Sequence, residues 1–203
     1  MPEVIFAGPE GRLEGRYHPQ KDRDAPIAIV LHPHPQYGGT MNNKVVTTIA
    51  RALAESGIAS VRFNFRGVGR SEGGYDEGRG ETLDYLAVAQ WLQAQRPSDA
   101  LWLAGFSFGA WVALRAARQL PVQQMIAIAP PVGFRDFTGV PAPPCPWLVV
   151  QGDADDVVDR GRADAGALAG PGGDRRGRRH VRVRPVVDVE QRALRALEQH
   201  VRA

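Results

Sequence analysis

The feature that most constrains this chain is a strand-like apolar run that ends in a glycine-flanked serine. Residues 100–106 are largely apolar, and Gly105, Ser107 and Gly109 then form a G-x-S-x-G pattern. Small and aliphatic residues with helical spacing follow from about Ala110. This order predicts a strand, a sharp turn and a helix. Glycine on both sides makes room for the turn, so we expect Ser107 at its tip in a strained backbone conformation.

Two interpretations of Ser107 follow from that position. As a nucleophile, its hydroxyl would stand off the sheet beside the N-terminal amides and the positive dipole end of the next helix, where an anion is stabilised. The alternative is an ordinary strand-to-helix turn without chemistry. G-x-S-x-G is common by chance, but its place between a strand and a helix favours the nucleophile.

Length and composition limit the class of protein. A chain of 203 residues suits one domain. The N-terminal residues lack a basic region followed by an apolar one, and no apolar run approaches the length of a membrane span. We therefore expect a soluble, cytoplasmic protein without a membrane partner. The single cysteine, Cys145, excludes an internal disulfide and a cysteine-rich metal site.

The net charge of +3 originates in one segment. Residues 160–184 contain eight arginines and two aspartates, so the rest of the chain is slightly acidic. Because that remainder offers no basic face with interleaved aromatics, nucleic acid is not an expected partner. The glycine-rich residues 66–74 lack the lysine of a phosphate-binding loop and the spacing of a dinucleotide fingerprint, so no cofactor is expected either.

Strand and helix patterns alternate along most of the chain. A hairpin is predicted at residues 3–17, strands at 26–32, 58–65, 100–106, 125–129, 146–150 and 180–187, and helices at 44–55, 81–95, from about 110, and at 189–201. The alternation predicts an α/β fold with a mostly parallel sheet and helices on both faces. Ligands bind at the carboxyl ends of such strands, where Ser107 is expected to meet residues 32–40 and 152–156.

Four motifs in this order carry a resemblance to a known family. They are H-P-H-P at 32–35 with G-G-T-M-N-N-K at 38–44, R-F-N-F-R-G-V-G at 62–69, G-F-S-F-G at 105–109, and G-D-A-D at 152–155. Through about residue 158 the chain resembles the α/β-hydrolase family, in particular the small bacterial serine hydrolases without a cap that lie near the dienelactone hydrolases. Those carry cysteine where this chain has Ser107, so the resemblance implies the ester-hydrolase branch.

A serine nucleophile needs an imidazole base and a carboxylate that orients the imidazole. Asp155 is the candidate carboxylate because it follows the strand at 146–150. The resemblance also places the acid at the aspartate of G-x-x-D-x-x-V, here residues 152–158. Asp153 and Asp156 are alternatives, and each of the three could instead cap or solvate a turn.

The oxyanion of an acyl-transfer intermediate needs two amide donors. Phe108, directly after Ser107, is one candidate. The second is expected in the loop after the strand at 26–32, where the two prolines have no N–H, so His34 is the first choice and Gln36 the next. One of the side chains of His32 and His34 is expected to orient this loop by hydrogen bonding. A metal site on that pair is disfavoured because no acidic residue is nearby.

The connection at residues 130–145 is too short for a cap. This predicts a shallow, open site for small or short-acyl esters, lined by Tyr37, Phe106, Phe108 and Phe134. The alternative for these aromatics is core packing.

The base is not where the resemblance implies. Family members carry a histidine between the last strand and the last helix, but residues 184–188 contain none. Residues 160–184 also lack the apolar periodicity of the helix expected there, so we interpret them as either a reading-frame error in the gene sequence or a true arginine-rich tail. In the chain as it stands, His180 is the base by elimination, while His200 ends the final helix.

Two classes of function remain at this point. The first is a serine hydrolase that cleaves small or short-acyl carboxylic esters through an acyl-enzyme on Ser107, without cofactor or metal; a peptidase or thioesterase would use the same groups. The second is a catalytically impaired hydrolase-fold binding module, whose arginine-rich segment contacts acidic partners.

Overall fold

Parallel strands flanked by an antiparallel hairpin form the sheet. The computed structural model describes residues 2–22, 25–96, 100–132, 134–152 and 179–183. The strands are β1 Glu3–Gly8, β2 Gly11–His18, β3 Ile27–Leu31, β4 Ala59–Phe63, β5 Leu101–Phe106, β6 Val122–Ile128, β7 Trp147–Gly152 and β8 Arg179–Val183. Their spatial order is β1-β2-β4-β3-β5-β6-β7-β8. Pairing is antiparallel among β1, β2 and β4 and parallel from β4 through β8, which confirms the predicted α/β class.

Helices cover both faces of this sheet. They are α1 Lys44–Glu55, α2 Arg79–Gln95 and α3 Phe108–Ala116. α1 contributes Val46, Ile49 and Leu53 to one core cluster, whereas α2 and α3 pack into the cluster on the opposite face. Among the described helices, none combines the length and the apolar character that a membrane crossing requires.

The central position of β3 in the sheet explains why its sequence is apolar without alternation. Ile27, Ile29 and Leu31 belong to the cluster beneath α2 and α3, while Ala28 and Val30 belong to the cluster beneath α1. Successive side chains of a strand point to opposite faces. Because both faces are covered by helices, every position of β3 is buried.

The order of the strands creates a crevice at the carboxyl edge. The chain passes from β3 to β4 on one side, and from β5 to β6 on the other, while β3 and β5 are neighbours. The loops after β3 and β5 therefore diverge, which is the arrangement that opens a ligand crevice in α/β sheets. The loop at residues 32–40 and Ser107 flank this crevice.

A buried ion pair holds the loop that follows β4. The Arg66 side chain, 2% exposed, lies 2.8 Å from the Asp84 carboxylate of α2, which is 1% exposed. The Arg66 backbone N–H also donates to Asp84, at 2.9 Å, and a second guanidinium nitrogen lies 2.6 Å from Glu10. The loop is thereby fixed between α2 and the β1–β2 hairpin.

Two local predictions differ from the structure. α3 begins at Phe108 rather than near Ala110, because the Ser107 carbonyl already accepts hydrogen bonds from the N–H groups of Ala110 and Trp111. The loop at residues 32–40 contains a 3₁₀ turn at Pro35–Tyr37 that its prolines and glycines did not indicate. The predicted helix at 189–201 lies outside the described residues.

Candidate active site

Ser107 occupies the turn between β5 and α3 in a backbone conformation that is rare for a residue with a side chain. Its φ is 53° and its ψ −116°. The Ser107 N–H donates to the Ile128 carbonyl at 2.8 Å, and the Ser107 carbonyl accepts from Ala110 at 2.9 Å. A conformation of this kind costs about 1–3 kcal/mol and persists only where surrounding contacts impose it. The turn is therefore strained, as the sequence predicted, and held by β6 and by the first turn of α3.

The two flanking glycines are required by close backbone contacts. A Cβ atom on Gly105 would lie 2.4 Å from the Gly109 carbonyl oxygen, and one on Gly109 would lie 2.5 Å from the Leu31 carbonyl oxygen. The second contact joins the start of α3 to the end of β3. Glycine at both positions therefore allows the Ser107 turn to close and brings it against the loop that follows β3.

Two backbone amides near this turn lack an acceptor. Phe108 is the first residue of α3, where a helix leaves its N–H groups unpaired. His34 precedes the 3₁₀ turn, and its carbonyl accepts from Tyr37 and Gly39. Among the described residues, neither the Phe108 nor the His34 N–H donates a hydrogen bond. Phe108 and His34 also meet through their rings, whose centroids are 4.9 Å apart.

His32 is a buried structural residue of the loop after β3. Its Nδ1 lies 2.7 Å from the Pro33 carbonyl oxygen, and its Nε2 accepts from the Phe65 N–H at 3.0 Å. These contacts require the tautomer with the proton on Nδ1 and confirm that one histidine of the pair orients the loop. Burial lowers the pKa of His32 to about 4, against a smaller opposing effect of the Pro33 carbonyl.

Acidification is expected to destabilise the protein through His32. Its pKa is 6.5 in an ordinary setting and about 4 when folded, so between these values the unfolded chain binds more protons. His32 makes its full contribution to the free energy of unfolding above pH 6.5. Acidification toward pH 4 removes on the order of 3 kcal/mol of that contribution. Urea unfolding at a series of pH values measures it.

His32→Asn is the comparison variant because its amide both donates and accepts. Other groups titrate in both proteins, so the difference between the two pH profiles isolates His32. The free energy of unfolding is expected to fall less steeply in the variant below pH 6.5. Parallel profiles would contradict a neutral, buried His32.

His34 belongs to a polar cluster that the sequence did not reveal. Its Nδ1 accepts from the Gln36 N–H at 3.2 Å, and its Nε2 lies 3.1 Å from the Tyr75 hydroxyl. One guanidinium nitrogen of Arg135 donates to the Tyr75 hydroxyl at 2.9 Å and also contacts His34 Nε2. Burial, followed by the charge of Arg135, lowers the pKa of His34. The ring is therefore neutral at neutral pH.

The aromatic residues predicted to line the site lie in different environments. Tyr37 is 86% exposed, with its ring 4.7 Å from that of His34, and Phe134 is 64% exposed. Phe106 is half-buried against the cluster beneath α1. Phe108 is almost fully buried in the opposite cluster, so its side chain packs in the core. Only its amide is left as a site group.

The remaining predicted catalytic residues are not placed beside Ser107 by the described structure. Asp155, with its alternatives Asp153 and Asp156, lies outside the described residues and stays a prediction. His180 pairs with Val149 of β7 in the parallel register. β8 is three strands from β5, a separation of about 14 Å between their backbones at normal strand spacing. The register alone therefore does not bring His180 to the serine.

Within the described ranges, no three His, Cys, Asp or Glu side chains come together as a metal site would require. Nor does any hydrogen bond of those ranges join a histidine side chain to Ser107. His18 ends β2, which runs antiparallel to β4, and so lies at the opposite edge of the sheet.

Comparisons with known proteins agree with this geometry. The sequence profile of the X-Pro dipeptidyl-peptidase (S15) family matches residues 16–141. An α/β serine hydrolase without lid from Xanthomonas campestris is 45% identical and covers 99% of this chain and 91% of its own, with a TM-score of 0.85. An uncharacterised Rickettsia prowazekii protein is 45% identical over 163 residues, 78% of this chain and 68% of that protein.

A more distant relative has a named activity. Lysophosphatidylserine lipase ABHD12 of Rattus norvegicus is 29% identical over 120 residues, which are 59% of this chain. The chain spans only 29% of that lipase.

The sheet topology and the likeness to the Xanthomonas enzyme define an α/β serine hydrolase. The chain belongs to the S15 family of α/β hydrolases and, within that fold, is similar to the small members that have no lid.

Proposed function

We propose that this protein hydrolyses small or short-acyl carboxylic esters through an acyl-enzyme formed on Ser107. The observation that carries the proposal is the strained backbone of Ser107, with φ of 53°, at the junction of β5 and α3. Strained residues of this kind cluster at functional sites. Solvent reaches the turn, since Ser107 is only partly buried.

In the proposed reaction the Ser107 hydroxyl oxygen attacks the ester carbonyl carbon and its proton passes to the base. The C–O bond to the alcohol then breaks, the alcohol takes that proton, and water releases the acid from the acyl-enzyme. The N–H groups of Phe108 and His34 stabilise the oxyanion. This assignment is supported because both N–H groups lack acceptors among the described residues and because α3 contributes its positive dipole end.

Asp155 and His180 complete the proposed triad. His32 is excluded as base because it is buried and already engaged at both ring nitrogens. His34 bonds to Tyr75 and Arg135 instead. His180 is kept by elimination, with His200 as the alternative, and its strand β8 lies three strands from β5.

Ester specificity and a short acyl chain are the finer part of the proposal. The connection from β6 to β7 contains no room for a cap, and Tyr37 and Phe134 stand exposed in the loops after β3 and β6. A site without a cap encloses only a small part of a long acyl chain. The lipase activity named for ABHD12 supports an ester, whereas the S15 match favours a peptidase as the second candidate.

A panel of p-nitrophenyl esters from acetate to palmitate tests this proposal. An enclosed acyl pocket gains about 0.8 kcal/mol per methylene, which is roughly fourfold in kcat/KM for each added carbon. We expect no such rise beyond butyrate. Strong turnover of palmitate with none of acetate would contradict the open site, and faster cleavage of Gly-Pro-p-nitroanilide than of any ester would replace the esterase with a peptidase.

A further inference from the structure

Arg135 is a cation in contact with His34 that has no carboxylate partner among the described residues. Five other arginines form ion pairs with carboxylates: Arg12, Arg16, Arg66, Arg70 and Arg79. Within the described part of the chain, Arg135 pairs with no carboxylate, and its two polar contacts are to a neutral imidazole and a phenol.

The guanidinium lies over two aromatic rings and close to the groups proposed for catalysis. Its Cζ lies 5.3 Å from the ring centroid of Phe108 and 5.3 Å from that of Trp111. Ring faces offset part of the cost of withdrawing a cation from water. The same guanidinium contacts His34, so Arg135 touches both residues whose amides are the proposed oxyanion donors.

Part of the guanidinium has no acceptor among the described residues. Its contacts with His34 and Tyr75 both use Nη2. Of the five N–H groups of an arginine, the three on Nε and Nη1 bond to no described residue. The anion that fits the parallel N–H groups of a guanidinium is a planar carboxylate.

We propose that Arg135 binds an ionised carboxylate of the substrate, so that the preferred esters are those of small molecules carrying a second, free carboxyl group. The inference rests on the proposed esterase function, because it names the substrate class of the same site. Arg135 is then a specificity-determining residue, and the His34–Tyr75 contacts orient it.

Matched ester pairs test the proposal within each protein. On the acyl side, the mono-p-nitrophenyl ester of adipic acid is compared with p-nitrophenyl hexanoate, and on the alcohol side 4-acetoxybenzoate with its methyl ester. The wild type is expected to prefer the anionic member of at least one pair by roughly 10- to 100-fold in kcat/KM, the size of a charge-assisted hydrogen-bond pair. In Arg135→Gln this ratio is expected to fall to near one.

Arg115→Gln is the matched control. Its guanidinium lies 4.7 Å from the same Trp111 ring but makes no contact with His34 or Tyr75 among the described residues. The ratio is expected to persist in this variant. Because a ratio is compared, a general loss of rate in Arg135→Gln does not obscure the result. The proposal would be overturned if the wild type had equal kcat/KM values for both members of each ester pair. It would also be overturned if the preference for the anionic ester persisted in Arg135→Gln.

A binding measurement separates this inference from the esterase itself. Calorimetric titration with monomethyl adipate compares Ser107→Ala with Ser107→Ala/Arg135→Gln, neither of which needs to turn over substrate. The second variant is expected to bind roughly 10- to 100-fold more weakly. That result would stand even if no ester were hydrolysed, whereas equal affinities, or no binding by either, would refute the carboxylate site alone.

Discussion

Replacing Ser107 with alanine is expected to abolish covalent labelling by a fluorophosphonate probe and to lower kcat for p-nitrophenyl butyrate by about 10,000-fold or more. In the proposed reaction the hydroxyl supplies the oxygen that forms the acyl-enzyme, so no other group of the turn can replace it. Alanine keeps the backbone contacts that hold φ near 53°. Gel fluorescence and initial rates measure the two effects.

Ser56→Ala is the matched control, since Ser56 lies at the C-terminal end of α1 and, like Ser107, is partly buried. Its labelling and rate are expected to match the wild type. A folded wild type that the probe does not label would favour the binding module, and labelling that persists in Ser107→Ala would move the nucleophile elsewhere. In the same assay, a loss in His200→Ala but not in His180→Ala would transfer the role of base to His200.

Asp84→Ala is expected to lower the free energy of unfolding by about 3–5 kcal/mol, because it leaves a buried guanidinium without its main counter-ion. Arg66 is 2% exposed and loses its Asp84 contacts to both side chain and backbone. Glu10 remains at 2.6 Å from one guanidinium nitrogen but is half exposed and compensates only in part. Chemical denaturation followed by circular dichroism at neutral pH gives the value.

Asp76→Ala removes the same kind of partner from an exposed pair. Arg79 and Asp76 are 2.8 Å apart, with side chains 65% and 39% exposed, so the expected loss is much smaller than in Asp84→Ala. Similar losses in the two variants would show that burial of the Arg66–Asp84 pair does not matter. If Asp84→Ala does not fold, Asp84→Asn, which retains one acceptor oxygen, is expected to show a smaller loss in the same direction.

Sequence patterns predicted elements that depend on neighbouring residues. The bounds of α1, Lys44–Glu55, were predicted without error. Its apolar stripe, the Asn43 side chain that accepts from the Val45 N–H, and Gly57 at φ 78° all act within one helix length. The start of α3 was misplaced because the Ser107 carbonyl, and not a side-chain cap, begins that helix.

Long-range contacts decided what no pattern could indicate. Arg135 stands alone in a loop between β6 and β7, and no motif marks it. His34, Tyr75 and Arg135 are far apart along the chain and meet only because β3, β4 and β6 all end at one edge of the sheet.

The sequence by itself determined the strand, the strained serine and the helix, since two glycines and a change of periodicity within eleven residues are local constraints. It also determined the class of fold, because an unbroken apolar run such as that of β3 predicts a strand buried on both faces. Only the tertiary structure decided that His32 is structural and that an arginine with no described carboxylate partner contacts His34 and Tyr75. Hydrogen bonds and charges of this kind depend on which strand ends become neighbours, and that order is set by packing of the whole sheet.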